Sequence, residues 1–149
     1  MQKFFSILMV IIWLFFIFIL SSIPSVAFGP PLFFWQGLVA HLILFAVLAY
    51  LLIKTILNWG ENKAINWQII FYVIAFCFFY GITDEYHQGY VIGRSVSFTD
   101  LGSDGLGGAI GILFFWLKGW RKKPKLMLHI SRSIARTRII SAKLLRLRI

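Results

Sequence analysis

The stretch DEYHQGYVIGRSVSFTDLGSD, residues 84 to 104, holds four of the five acidic residues of a 149-residue chain: Asp84, Glu85, Asp100 and Asp104. His87, Gln88 and Arg94, the first arginine in the sequence, lie among them. These side-chain types suit two kinds of chemistry. In acid–base catalysis Glu85 or Asp100 would act as general base, His87 would shuttle the proton and Arg94 would hold an anion, with Asp84 beside them. In cation-assisted binding, two carboxylates would hold Mg²⁺ against a phosphate. The candidate catalytic set is therefore Asp84, Glu85, His87, Arg94 and Asp100, and the candidate ligand-binding set is His41, Gln88 and Asp104. No nucleophile elbow, phosphate-binding Gly-rich loop or two-histidine zinc motif is present, so the spacing names neither a cofactor nor a metal.

The elements that must position these residues are apolar. The chain is 60% hydrophobic and 18% aromatic with only 13% charged residues, the composition of a membrane protein and not of a soluble domain. Phe4 to Leu20 has no charge or glycine. This run of about 17 residues would cover roughly 25 Å as a helix. A second run, Leu32 to Ile53, is broken only by Gln36, Gly37 and His41 and follows Pro30 and Pro31, residues tolerated at a helix start. The third is Trp67 to Ile82, and the fourth, Asp100 to Leu117, is Gly-rich and begins acidic. None alternates with period two, and an open sheet cannot satisfy its backbone in lipid. The expected fold is an all-α integral membrane domain of four transmembrane helices over residues 1–120, followed by a basic tail over 121–149.

Orientation follows from the short loops. Lys3 precedes the first run, Lys54 and Lys63 lie between the second and third, and eleven of the fifteen Lys and Arg follow Leu117, whereas Ser21 to Pro31 carries no charge. An excess of positive charge inside puts both termini in the cytoplasm and the acidic stretch outside, in a multi-pass protein of the cell membrane. "SVA" at Ser25 to Ala27 fits a signal-peptide cleavage site, but the apolar run before it exceeds the usual signal core, so the uncleaved reading is preferred. The net charge of +10 belongs to the tail, where Lys125, Arg132, Arg136 and Lys143 fall on one helical face. That tail reads equally as an amphipathic helix on anionic lipid and as a positive-inside signal without fixed structure. It has no aromatic residues to stack on bases, so membrane lipid and not nucleic acid is the expected partner. Cys77, the single cysteine, excludes an intrachain disulfide and reads as a packing residue.

A third helix continuing past Ile82 would put Asp84 on one face with His87 and Gln88, with Glu85 roughly 100° away. Gly89 and Gly93 can turn the chain. Asp100 and Asp104 share a face of the fourth helix, near Gly107, Gly108 and Gly111, which allow another helix to approach closely. Ser97, Thr99 and Asp100 taken alone read as a helix cap. Asp104 would lie about 6 Å deeper than Asp100, and an acid at that depth calls for a partner, for which Arg94 is the expected one. His41 lies about 15 Å down its helix counting from Pro31, or about 9 Å counting from Trp35, and the second count brings it within reach of Asp104.

Taken together, these residues resemble the VanZ-like membrane proteins, a family named for a glycopeptide (teicoplanin) resistance protein, over roughly residues 10 to 117. The match rests on "SSIP" at Ser21 to Pro24, on His41, and most specifically on the series Asp84, Glu85, His87, Gln88, Gly93, Arg94, Asp100, Gly107 and Gly111. Family members often carry Asp-Lys shortly before the histidine and Tyr four residues after it, where this chain has Gly37, Leu38 and Phe45. Asp104 stands where Asn is common. The resemblance implies a small membrane protein of cell-envelope physiology, linked to antibiotic resistance as reduced glycopeptide susceptibility, without specifying a reaction. The expected function is binding or modification, at the outer site, of a polar or phosphorylated envelope component such as a lipid-linked cell-wall precursor. The alternative is a proton-coupled small transporter with His41 and Asp104 as relay, in which four helices would need to dimerise to form a path.

Overall fold

The computed structural model describes residues 1–29, 32–60 and 64–118. Helix α1 is Gln2–Ser22, a short 3₁₀ turn follows at Ser25–Phe28, α2 is Gln36–Trp59 and α3 is Trp67–Gln88. Residues 98–118 form α4, helical to the last described residue. The described residues contain no strand, and α1, α2 and α3 are each long and apolar enough to cross a membrane. The chain separates into two compact units, Met1–Phe115 and Trp116–Ile149, and all contacts below belong to the first. The basic tail expected at 121–149 lies outside the described residues.

Local chemistry explains the helix ends. α1 stops before Pro24, which has no N–H, and its last turn closes with Ile23 N–H on the Leu20 carbonyl at 3.4 Å. α2 begins at Gln36, four residues later than the apolar run. The Gln36 side chain accepts from the Leu32 amide at 2.7 Å and holds 32–35 as a turn. Asn66 caps α3 by accepting from Ile69 N at 2.9 Å. As expected, α3 continues past Ile82 to Gln88. Gly93, at φ 78°, reverses the chain toward α4. Ser97 caps α4, its Oγ accepting from the Asp100 amide at 3.3 Å.

Lipid tails are as apolar as leucine, so these helices associate through close packing and hydrogen bonds and not by escaping water. Trp13 donates to the Leu44 carbonyl at 2.9 Å, Tyr80 to the Leu14 carbonyl at 2.8 Å and Thr55 to the Ser6 carbonyl at 3.1 Å. Ile17, Phe45, Leu48, Ile53 and Cys77 are fully buried between the helices. Gly107 and Gly111 bring α4 against the α2 backbone so closely that a Cβ on either would strike the carbonyls of Leu42 and Ala46. Gly108 meets Cys77 of α3, so α4 packs on both α2 and α3. One end of the bundle is marked by Lys3, whose ammonium lies 5.5 Å from the Trp59 ring centre. The polar residues gather at the other.

Candidate functional site

Four helices meet at that polar end. Asp84 and Gln88 are one turn apart on α3, and the Gln88 amide nitrogen donates to Asp84 Oδ2 at 2.9 Å. Because a carboxylate can only accept, this contact fixes which end of the Gln88 amide is nitrogen. The same nitrogen faces His41 Nε2 at 3.4 Å and Ser21 Oγ at 3.3 Å. His41 Nε2 must therefore present a lone pair, and its Nδ1 carries the proton toward Asp104 Oδ1, 2.9 Å away. The result is an ordered chain, Asp84 to Gln88 to His41 to Asp104, running from α3 through α2 to α4. Every member is at most 6% exposed. His41 lies five residues into α2, about 7.5 Å, so the shallower of the two sequence counts holds.

The amide nitrogen of Gln88 has two hydrogens for three acceptors, and His41 Nε2 is the most distant of them. Its lone pair is thus only weakly engaged. Beside it stands Glu85, 4% exposed, whose Oε2 accepts from the Ser97 amide at 2.7 Å while Oε1 has no hydrogen-bond partner. That Ser97 contact has a further effect. At a helix start of this kind the acid three residues after the cap normally reaches back to the cap's own N–H. Here Glu85 has taken that N–H, so Asp100 is not needed there. One ligand atom from each of His41, Glu85 and Asp100 lies within 4.8 Å of the other two. Asp104 Oδ2 is also buried without a partner and lies against Gly81, where a Cβ would approach it to 2.6 Å.

Two of the expected residues reach α1. Arg94 donates from Nη2 to the Leu20 carbonyl at 3.1 Å and from Nε to the Ile23 carbonyl at 3.4 Å. It engages the negative end of the α1 dipole, where α1 has no basic residue of its own. The expected pairing of Arg94 with Asp104 is therefore corrected: Asp104 Oδ1 accepts from His41 Nδ1, and its Oδ2 has no hydrogen-bond partner. His87, half-buried, meets α1. Its Nε2 contacts Ser22 Oγ at 2.9 Å, and its ring lies 4.6 Å from that of Phe18. Ser22 donates its own proton to the Phe18 carbonyl at 2.7 Å, so His87 must donate to Ser22 through Nε2. Neither Ser21 nor Ser22 was singled out as a site residue by the chemistry of its side chain. Their signal was the "SSIP" that ends α1.

A cavity of about 500 Å³ lined by Gln2, Ser6, Lys54 and Asn58 lies at the opposite end of the bundle. It touches none of these groups, and burial with unmet hydrogen-bonding capacity is the stronger sign of a site. Apolar helices of membrane-crossing length, joined at one end by a buried carboxylate–amide–imidazole chain, are those of a small multi-helix membrane protein. The family model VanZ/LLP1 matches residues 4–119, and the chain belongs to that family. Searches among curated proteins and among solved structures find no match.

Proposed function

We propose that this VanZ/LLP1 protein crosses the cell membrane four times with both termini in the cytoplasm, and that its extracytoplasmic end binds or modifies a polar component of the cell envelope. The observation that carries this reading is Glu85 Oε1, buried and without a hydrogen-bond partner, beside His41 and Asp100. A buried acceptor left unmet costs about 1–3 kcal/mol, which a ligand bearing donors recovers. The ligand's recognised groups are accordingly hydroxyls, amines or amides, as on a glycan or peptide headgroup. A phosphate would enter only with a cation between it and these carboxylates. A lipid-linked cell-wall precursor combines such groups with a chain that fits the apolar helix faces, and its sequestration would lower susceptibility to teicoplanin and other glycopeptides.

The test uses the full chain in lipid nanodiscs, incubated with an envelope lipid extract and then analysed by mass spectrometry of the retained and released lipids. The expected result is selective retention, or chemical change, of a headgroup-bearing precursor by the wild type and its loss in Glu85→Gln. Equal lipid profiles for the two proteins would refute the reading. The buried His41–Asp104 pair favours a second reading, a proton-coupled carrier. Proton flux into proteoliposomes that disappears in Asp104→Asn would support it.

A further inference from the structure

We infer that His41, Glu85 and Asp100 form a binding site for a divalent metal ion of the Zn²⁺ type. The three come from α2, the last turn of α3 and the first turn of α4, and their ligand atoms lie within 4.8 Å of one another. In an equilateral triangle of that edge the centre is about 2.8 Å from each corner, whereas Zn–N and Zn–O bonds are about 2.0–2.2 Å. Each side chain needs to move by less than about 1 Å, within reach of small torsional adjustments.

The remaining shells are already built for this role. A histidine that binds a metal through one nitrogen usually donates from the other to a carboxylate, which fixes its tautomer and strengthens it as a ligand. Asp104 does this at His41 Nδ1, leaving Nε2 with a lone pair that only a 3.4 Å amide contact engages. Glu85 is held in the same way by the Ser97 amide on Oε2, which leaves Oε1, 96% of the residue being buried, with no other partner. Asp100 is released from its capping duty by that contact. Three protein ligands leave a coordination position for water or an incoming group, the pattern of reactive and not of purely structural zinc sites. The imidazole also sets the choice of metal. Mg²⁺, considered from the carboxylates alone, favours an octahedron of oxygens, whereas one nitrogen and two carboxylates suit Zn²⁺, Mn²⁺ or Fe²⁺.

This inference gives Glu85 Oε1 to a metal ion in place of a donor group of the envelope ligand, which would then meet the open coordination position. It is tested apart from that ligand, because metal uptake is read on the protein alone. The full chain is purified in detergent without chelator, its metal content is measured by mass spectrometry, and the stripped protein is titrated with ZnCl₂ and CoCl₂. The expected result is about one equivalent of Zn²⁺ per folded chain, uncompeted by millimolar Mg²⁺, with a Co²⁺ visible spectrum showing nitrogen and oxygen ligands. Glu85→Gln and His41→Ala should lose that equivalent. Asp104→Asn should weaken binding about 10–100-fold, as outer-shell changes do. Thr83→Ala, an exposed change in the last turns of α3 whose hydroxyl meets only the Tyr80 carbonyl, should retain it. Should His41→Ala not fold, the wild-type Co²⁺ spectrum and Glu85→Gln still decide the matter. A monodisperse wild type that takes up no stoichiometric Zn²⁺, or uptake unchanged in Glu85→Gln, overturns the site.

Discussion

Replacing Gly111 by Ala should uncouple a pair of side chains two turns away. A Cβ there would lie 2.9 Å from the Ala49 Cβ and would strike the Ala46 carbonyl, a backbone atom that cannot swing aside. Carbon atoms pack best at about 3.5–4.0 Å, so α4 must retreat from α2 by roughly 0.6–1.1 Å. Asp104 lies about 10 Å along the same rigid helix. A parallel retreat stretches its 2.9 Å contact with His41 to about 3.5–4.0 Å, beyond hydrogen-bonding range. Overpacking costs about 1–3 kcal/mol and the lost charge-assisted hydrogen bond about 1.5–3 kcal/mol. Improved helix propensity returns about 1 kcal/mol, leaving a net loss of roughly 1.5–5 kcal/mol. The control is Gly105→Ala on the same helix, where a Cβ meets nothing within 4 Å. That change should be neutral or stabilising by up to about 1 kcal/mol. Stability is read by thermal unfolding in one detergent, and the His41 contact by the nitrogen NMR shifts of its ring. Equal stability of the two alanine variants, with unshifted His41 resonances in Gly111→Ala, would refute the argument that close helix approach positions Asp104.

Asp104→Leu leaves the His41 Nδ1 proton without its acceptor and should destabilise the protein by about 3–5 kcal/mol, whereas Asp104→Asn keeps an acceptor oxygen and should cost about 1 kcal/mol. A detergent melting series of the two separates these outcomes. Arg94→Ala removes two donors from the end of α1 and should cost about 1.5–3 kcal/mol, only partly restored by Arg94→Lys, since a lysine cannot reproduce the guanidinium fork. Thermal unfolding that ranks Lys with Arg would show that charge alone is what α1 requires. For orientation, a single cysteine at Ser95 in a Cys77→Ala background should react with an impermeant reagent on intact cells. Labelling only after permeabilisation would reverse the proposed topology.

The helices were legible because unbroken apolar runs of membrane-crossing length leave the backbone little alternative in lipid. Their ends were less so. Leu32 to Trp35 are as apolar as a helix interior, yet the Gln36 side chain holds them in a turn, a tertiary detail that hydropathy does not encode. Lys54 and Asn58 made the second run look shorter than α2, although both lie on the last turns of that helix and line the cavity at that end of the bundle. Most of the chemistry-bearing residues could be picked out because ionisable groups are rare in this chain, and the approach of α4 was readable from its glycines. The pairing of His41 with Asp104 was within reach of the shallower depth count, whereas that of Arg94 was not legible. Arg94 lies close to the acids in sequence, so it looked like their partner. What it satisfies is a helix end some seventy residues earlier, for which the readable signs were Pro24 and the lack of any basic residue in the last turn of α1.

The chain of contacts from Asp84 to Asp104 also has a consequence for biosynthesis. His41 and the α3 residues Asp84, Glu85 and Gln88 emerge from the ribosome before α4 does, while the acid that orients His41 and the amide that engages Glu85 belong to residues 97–104. During that interval the nascent segments carry polar groups whose final partners are still to be made. Transfer into hydrocarbon at that stage would leave those groups unmet. Lateral release of α2 and α3 from the insertion machinery is best timed to the arrival of α4, and the short connection between α3 and α4 keeps that wait brief. A site drawn from every helix thereby links completion of the last helix to the settling of the earlier ones.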